Sequence, residues 1–133
     1  MMQKFQQGWE RSLAQSDGGV SFWNNMLVRI LFGAAVLAIF LSLGVLGYFI
    51  KPSDAVLMVL HYNVYFGVDL LGLWWQAYIL PFLGGVFLFG HLFLARRFYA
   101  RTERIACYLM LLSSGMLSFG ILVATVSVAL INY

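Results

Sequence analysis

Charged residues are scarce in this sequence, and their scarcity excludes an ordinary soluble domain. Only 10% of the 133 residues are Asp, Glu, Lys or Arg, whereas about a quarter of the residues in a soluble domain are charged. The chain is also 62% hydrophobic, with a mean hydropathy of +0.88. We therefore interpret it as an integral membrane protein, because only lipid can surround so many apolar side chains.

Cysteine, histidine and acidic residues are equally few, which limits the chemistry that the chain can support. The single cysteine, Cys107, excludes an intramolecular disulfide. The two histidines, His61 and His91, are expected near opposite faces of a hydrocarbon core about 30 Å thick, too far apart to ligate one haem. The sequence has no phosphate-binding loop and no paired-acid motif. We expect no catalytic residues, no metal site and no cofactor.

Four arginines determine the expected topology. Arg96, Arg97, Arg101 and Arg104 lie close together between two long apolar runs. A cluster of this kind has to be a turn at a membrane face, and the positive-inside rule makes that face cytoplasmic. The arginines are thereby explained without a nucleic-acid partner. Three spans then place the N-terminus inside and the C-terminus outside.

The chain is predicted to consist of two parts. Residues 1–20 are expected to form an amphipathic cytoplasmic segment, because Phe5, Trp9 and Leu13 recur on one face of a helix. Such a helix lies in the membrane interface, and a disordered tail is the alternative. Residues 21–133 are predicted to form a single all-α membrane domain of three helices.

The three spans are predicted at about 26–50, 77–95 and 105–131. Each is an apolar run long enough to cross a bilayer as a helix. Ser21 is the predicted N-cap of the first span, and Thr102 is that of the third, because Ser and Thr side chains accept hydrogen bonds from the first turn of a helix.

Small residues recur on each span and indicate close helix contacts, since they let backbones approach one another. The candidate packing positions are Ala34, Ala38 and Ser42 in the first span, Gly84 and His91 in the second, and Gly120 and Ala124 in the third. Two interpretations of His91 remain open. It is either a neutral histidine bonded to a neighbouring helix or an ionisable group with a function of its own.

The segment 52–76, between the first two spans, is too polar for a comfortable span and too apolar for a solvated loop. A short helix is predicted over 55–60, and the stretch 64–68 is β-prone with a break at Gly67. Its aromatic residues are of the kind that favours the membrane interface. We expect an ordered element on the outer membrane face, or in a shallow dip between spans.

Part of this segment resembles a known group of sequences. Residues 60–72 contain the pattern His-Tyr-Asn-x-Tyr-Phe-Gly-x-Asp, and Trp74 and Trp75 follow. The stretch is similar to one that joins spans one and two in a group of small, uncharacterised three-span bacterial membrane proteins. The resemblance does not include the N-terminal tail. It implies a bacterial membrane protein of three spans and brings no activity with it.

The features above favour a non-catalytic accessory subunit of a larger complex in the cell membrane, with other membrane protein subunits and lipid as its partners. Aromatic residues are enriched at interface cores, where a few polar groups direct the contact. The candidate partner-binding residues are His61, Tyr62, Asn63, Tyr65, Phe66, Asp69, Trp74 and Trp75. The role of Asp69 also stays open, as a proton-handling group, a helix cap or a polar anchor.

Two rival functions remain. A homo-oligomeric channel or small transporter needs polar residues that converge on a pore, and the third span offers Ser113, Ser114, Ser118, Thr125 and Ser127. These residues spread around the helix, which weakens that interpretation. A membrane enzyme is the third possibility, and the shortage of acids and bases disfavours it.

The topology is tested by placing single cysteines at Asn63 and Ala100 in a chain without Cys107. Because the arginine turn is expected inside, an impermeant thiol reagent applied to intact cells should label the cysteine at position 63 and leave that at position 100 unlabelled until the cells are opened. Labelling of position 100 from outside would contradict the orientation.

Overall fold

The computed structural model describes residues 20–53 and 57–133. Three long helices follow one another as α1 (Met26–Phe49), α2 (Ile79–Ala100) and α3 (Arg104–Ile131). Each of them is long and apolar enough to span a membrane, so the prediction of three membrane-spanning helices is confirmed. The protein is a multi-pass membrane protein.

A β-hairpin lies between α1 and α2, so the prediction of an all-α domain is wrong in this segment. Its strands are β1 (Met58–Asn63) and β2 (Gly67–Gly72), and they pair antiparallel. The helix predicted over 55–60 is replaced by a strand at 58–60, while 54–56 lie outside the described residues. A 3-10 turn at Trp74–Tyr78 leads from the hairpin into α2.

Helix α1 begins after Asn25, whose side-chain Oδ1 accepts hydrogen bonds from the amides of Leu27 at 3.0 Å and Val28 at 3.4 Å. Asn25 is therefore the N-cap, because it satisfies amides that have no partner within the helix. The assignment of Ser21 to this role is wrong, since Ser21 precedes a separate 3-10 turn at Phe22–Asn24.

The predicted start of the third helix is displaced by one residue. Glu103 occupies the N-cap position of α3, and Thr102 lies in the turn before it with a φ of 65°. Helix α2 extends to Ala100, five residues beyond its predicted end at 95. The predicted segment 1–20 falls almost entirely on residues 1–19, which lie outside the described part of the chain.

Helix α3 is the centre of the bundle. Its buried residues recur every three or four positions and form one stripe, which consists of Cys107, Leu111, Ser114, Ser118, Ile121, Thr125 and Ala129. Both α1 and α2 pack mainly against α3, and they contact each other much less. Three helices meet where Gly84 of α2 lies beside Ile39 of α1 and Ile121 of α3.

The antiparallel order of the helices gives the bundle two distinct ends. We call the end with the α2–α3 turn the arginine end, and the opposite one the hairpin end. At the arginine end, the Tyr99 hydroxyl donates to the carbonyl of Val20 at 2.7 Å and accepts from Arg104 Nη1 at 2.8 Å. The Asn25 amide donates to the Tyr108 hydroxyl at 2.8 Å. These bonds join the start of α1 to the turn between α2 and α3.

The three-helix contact at Gly84 can be tested with a matched pair of substitutions. A Cβ at Gly84 would lie 2.6 Å from the Cδ1 atoms of both Ile39 and Ile121, whereas a Cβ at Gly85 would meet nothing within 4 Å. Relative to Gly85→Ala, Gly84→Ala should lower the free energy of unfolding by about 1–3 kcal/mol, because both isoleucine side chains have to shift. Gly85→Ala should be neutral or stabilising by up to about 1 kcal/mol, because Ala favours a helix.

Unfolding in mixed micelles of mild detergent and sodium dodecyl sulfate, followed by circular dichroism, measures both variants. Equal stabilities of Gly84→Ala and Gly85→Ala would contradict the close contact.

Candidate functional site

The hairpin is the candidate functional site, and its local sequence explains its shape. Asn63 ends β1, and its side-chain Oδ1 accepts a hydrogen bond from the amide of Tyr65 at 2.9 Å, which closes a turn. Gly67 then begins β2 with a φ of 78°, in the left-handed region that glycine adopts without steric cost. The predicted β-prone stretch 64–68 is therefore mostly the turn itself.

The turn at residues 64–66, which we call the hairpin tip, is almost completely exposed. The exposed fractions are 84% for Val64, 90% for Tyr65 and 84% for Phe66. These three consecutive large apolar side chains bury little surface against the described part of the chain, so packing within the chain does not stabilise them. An exposed apolar cluster of this kind is typical of a binding surface or of a contact with lipid.

The base of the hairpin, by contrast, is firmly attached to the bundle. Leu46, Ile50 and Ala77 form a buried cluster, and Met58 and Leu60 of β1 pack against it. An isolated two-stranded hairpin is only marginally stable, so this packing provides the support that the two strands lack on their own. The hairpin thus has a fixed base and a free tip.

Asn132, just after α3, strengthens this attachment. Its side-chain Oδ1 accepts from the amide of Val59 at 2.8 Å, and its Nδ2 donates to the carbonyl of Val59 at 2.7 Å. The amide group of Asn132 therefore replaces a neighbouring strand at this position, and it satisfies both backbone groups of a residue on the outer edge of β1. No pattern in the sequence around Asn132 indicates this role.

His61 and Asp69 face each other across the two strands. The distance from His61 Nδ1 to Asp69 Oδ1 is 2.7 Å, and both side chains are substantially exposed. An exposed pair of this kind adds little stability, because water screens it. No group of three His, Cys, Asp or Glu residues suited to a metal ion occurs among residues 20–53 and 57–133. The pair is thus an exposed polar site on a hairpin whose other residues are mainly apolar.

The other predicted partner-binding residues have different positions. Tyr62 is half exposed. Trp74 is partly buried and packs against the Leu46 cluster, with its ring edge-on to Tyr78 at 6.3 Å between centroids. Trp75 is 48% exposed. Of the two tryptophans, Trp75 is therefore the one whose side chain is more available to another molecule.

The predicted helix-packing residues divide into inner and outer positions. Ala38, Ser42 and Gly84 are buried inside the bundle, and the Ser42 hydroxyl donates to the carbonyl of Ala38 at 2.9 Å. Ala34 and Gly120 are exposed. Ala35, which is 1% exposed, occupies the inner position beside Ala34.

His91 and Ala124 are half-buried. His91 Nδ1 lies 2.8 Å from the carbonyl of Phe87, one turn earlier in the same helix. One nitrogen of the imidazole therefore has a partner within α2.

The arginines also differ among themselves. Arg96, Arg97 and Arg101 are exposed at the arginine end. Arg104 is half-buried and lies over the Tyr99 ring, with its Cζ 4.5 Å from the ring centroid. This arrangement is a cation–π contact. Arg104 thus has a structural role at the turn in addition to its charge.

Removal of the Asn132 side-chain amide should loosen the hairpin without unfolding the helices. In Asn132→Leu, both backbone groups of Val59 lose their partner, and each unsatisfied group costs about 1–3 kcal/mol. Hydrogen exchange of the amides in 58–63 should then be at least about tenfold faster, while exchange in the middle of α3 stays unchanged.

Ser127→Ala is the matched control, because the Ser127 hydroxyl donates only to Val123 of its own helix. If exchange in the hairpin is the same in Asn132→Leu and Ser127→Ala, Asn132 does not hold the hairpin.

Comparison with known proteins adds no relative to this geometry. The chain matches no protein-family model, no curated protein and no solved structure. The resemblance of residues 60–75 to small three-span bacterial membrane proteins therefore stays a prediction. Any function has to be inferred from the hairpin and the helices themselves.

Proposed function

We propose that the protein is a non-catalytic accessory subunit of a larger membrane protein complex, and that the hairpin tip is its main contact with the partner. The observation that carries this proposal is the tip, where Val64, Tyr65 and Phe66 are 84–90% exposed on a hairpin whose base is fixed. A rigid base reduces the conformational entropy that the tip loses on binding. Aromatic anchors of this type often supply most of the energy of an interface.

The polar groups of the hairpin suit a directed contact. The exposed His61–Asp69 pair lies one residue from the paired residues Tyr62 and Val68. It can exchange its internal hydrogen bond for bonds to a partner. The contact therefore has an apolar centre and a polar rim, which is the usual anatomy of a protein interface.

The helices also offer outward small surfaces. Ala34 and Gly120 are exposed, and a Cβ at Gly120 would meet nothing within 4 Å. Small residues on a lipid-facing surface allow a second helix to approach closely. We infer that these positions receive helices of the partner, whereas Ala38, Ser42 and Gly84 are used within the chain.

The proposed orientation places the arginine end in the cytoplasm and the hairpin on the outer side of the cell membrane. Of the described Lys and Arg residues, Arg29 in the first turns of α1 and the four arginines near the α2–α3 turn lie at the arginine end. Lys51 alone lies at the hairpin end. This asymmetry agrees with the positive-inside rule.

A channel formed by several copies has less support. Ser114, Ser118 and Thr125 are at most 2% exposed, so they are enclosed within the bundle and do not face a pore between copies. Ser113 and Ser127 are exposed, but the Ser127 hydroxyl donates to Val123 of its own helix.

The proposal is tested with a photoreactive amino acid placed at Tyr65 of the full chain in its native membrane. Irradiation should join it to one discrete membrane protein. The same probe at Phe93, an exposed aromatic position on α2 far from the hairpin, should not give this product. Phe66→Ala should weaken the product by tenfold or more, since loss of an anchor costs about 2 kcal/mol or more.

Phe93→Ala is the matched control for Phe66→Ala, and it should leave the crosslink at position 65 intact. A native mass of the monomer after gentle extraction, together with crosslinks only to lipid, would overturn the subunit proposal.

A further inference from the structure

A cavity of about 380 Å³ lies beneath the hairpin, between it and helices α2 and α3. Its walls are mainly aliphatic, with Leu60 and Leu71 from the hairpin, Leu80 from α2 and Val128 from α3. Leu71 is 51% exposed and Leu80 is 39% exposed, so the cavity is reached from outside the molecule. Its volume falls in the range of small-molecule sites, which are about 300–1,000 Å³.

One of the residues that line this cavity, Thr125, carries a buried hydroxyl. Thr125 is 2% exposed, and its Oγ1 has no hydrogen-bond partner within the described part of the chain. Ser42 and Ser127 show the usual alternative, because each donates to the carbonyl four residues earlier. An unsatisfied buried polar group is costly and often marks a place that another molecule completes.

Gln76 supplies a second polar group to the same cavity. Its Oε1 accepts from the amide of Leu73 at 2.9 Å, which orients the side-chain amide. The Nε2 hydrogens therefore remain as donors that no described residue uses. Both Gln76 and Thr125 can donate hydrogen bonds, so the cavity combines aliphatic walls with two donors.

We propose that this cavity binds a membrane amphiphile through its carbonyl group, which accepts a hydrogen bond from Thr125 or Gln76, while its hydrocarbon chain lies against the leucines. Aliphatic walls favour a hydrocarbon chain, and a plain alkane would leave the Thr125 hydroxyl unsatisfied. A carbonyl oxygen accepts hydrogen bonds from both kinds of donor, the hydroxyl and the side-chain amide.

The ester of a glycerolipid and the ring of a quinone both carry this chemistry. The position of the cavity suits both. Ile79, the first residue of α2, also lines it, so the site lies at the hairpin end of the spans, where polar headgroups meet hydrocarbon. This inference concerns the isolated chain and does not rest on the proposed subunit role.

The experiment uses the full-length protein, purified and delipidated in a mild detergent. Decyl-ubiquinone, dioctanoyl-phosphatidylglycerol and dodecane are titrated separately, and native mass spectrometry measures the stoichiometry and dissociation constant of each. One carbonyl compound at least should bind one to one, and more tightly than dodecane. Saturation by the quinone alone assigns the quinone source, and saturation by the phospholipid alone assigns the lipid ester.

Thr125→Val removes the hydroxyl and keeps the shape, so it should weaken the carbonyl ligand about tenfold, the equivalent of one hydrogen bond. Ser114→Ala is the matched control. Ser114 is also buried and its hydroxyl is also unpaired among the residues described, but it does not line the cavity. It should leave the dissociation constant unchanged.

A second substitution keeps the test independent of the hydroxyl. Val128→Phe fills the cavity and should abolish one-to-one binding, while circular dichroism shows that the helices persist. The proposal is overturned if dodecane binds as tightly as the carbonyl compounds, if neither compound binds, or if Thr125→Val and Ser114→Ala bind alike.

Discussion

The packing of α1 and α2 against a single shared helix is the constraint on which the rest of the structure depends. Helix α3 presents one stripe of small and medium side chains, and both other spans lie against it. Lipid provides little hydrophobic force between helices, so their association depends on close packing. Gly84 permits this approach at the point where α2 meets Ile39 and Ile121. The position of every span is thus set relative to α3.

The hairpin is positioned by the same helix. Val128 of α3 packs beside the cluster at the hairpin base, and Asn132 bonds both backbone groups of Val59. As a result, the backbone groups of Val59 are satisfied, whereas the tip is exposed. This division separates two tasks. The base and the cavity below it are suited to a small amphiphile, and the tip is suited to a larger partner.

The sequence was sufficient to predict the three spans, because apolar runs of this length in a chain with so few charges are characteristic of helices that cross a bilayer. It was not sufficient for the hairpin. Residues 58–60 form a short apolar run, and periodicity alone cannot distinguish a strand from a helix over such a length. The pairing partner, β2, lies beyond a turn that depends on the Asn63 side chain and on the positive φ of Gly67.

Single polar residues were the most difficult to predict. Asn25 stands directly before an apolar run, and that position is a recognised N-cap signal, although Ser21 was equally plausible from sequence. Asn132 and Thr125 had no local signal, because their importance comes from residues distant in sequence. Val59 is separated from Asn132 by 73 positions, and the cavity at Thr125 exists only when the hairpin lies above α2 and α3.

This separation has a consequence for biosynthesis. The ribosome completes the hairpin well before α3. While the first two spans enter the bilayer, the backbone of Val59 and the leucines over the cavity therefore still lack their contacts with α3 and Asn132. Contacts between residues so far apart in sequence form late. The hairpin can therefore complete its docking only after the third span has been synthesised, because Val128 lies in that span and Asn132 follows it.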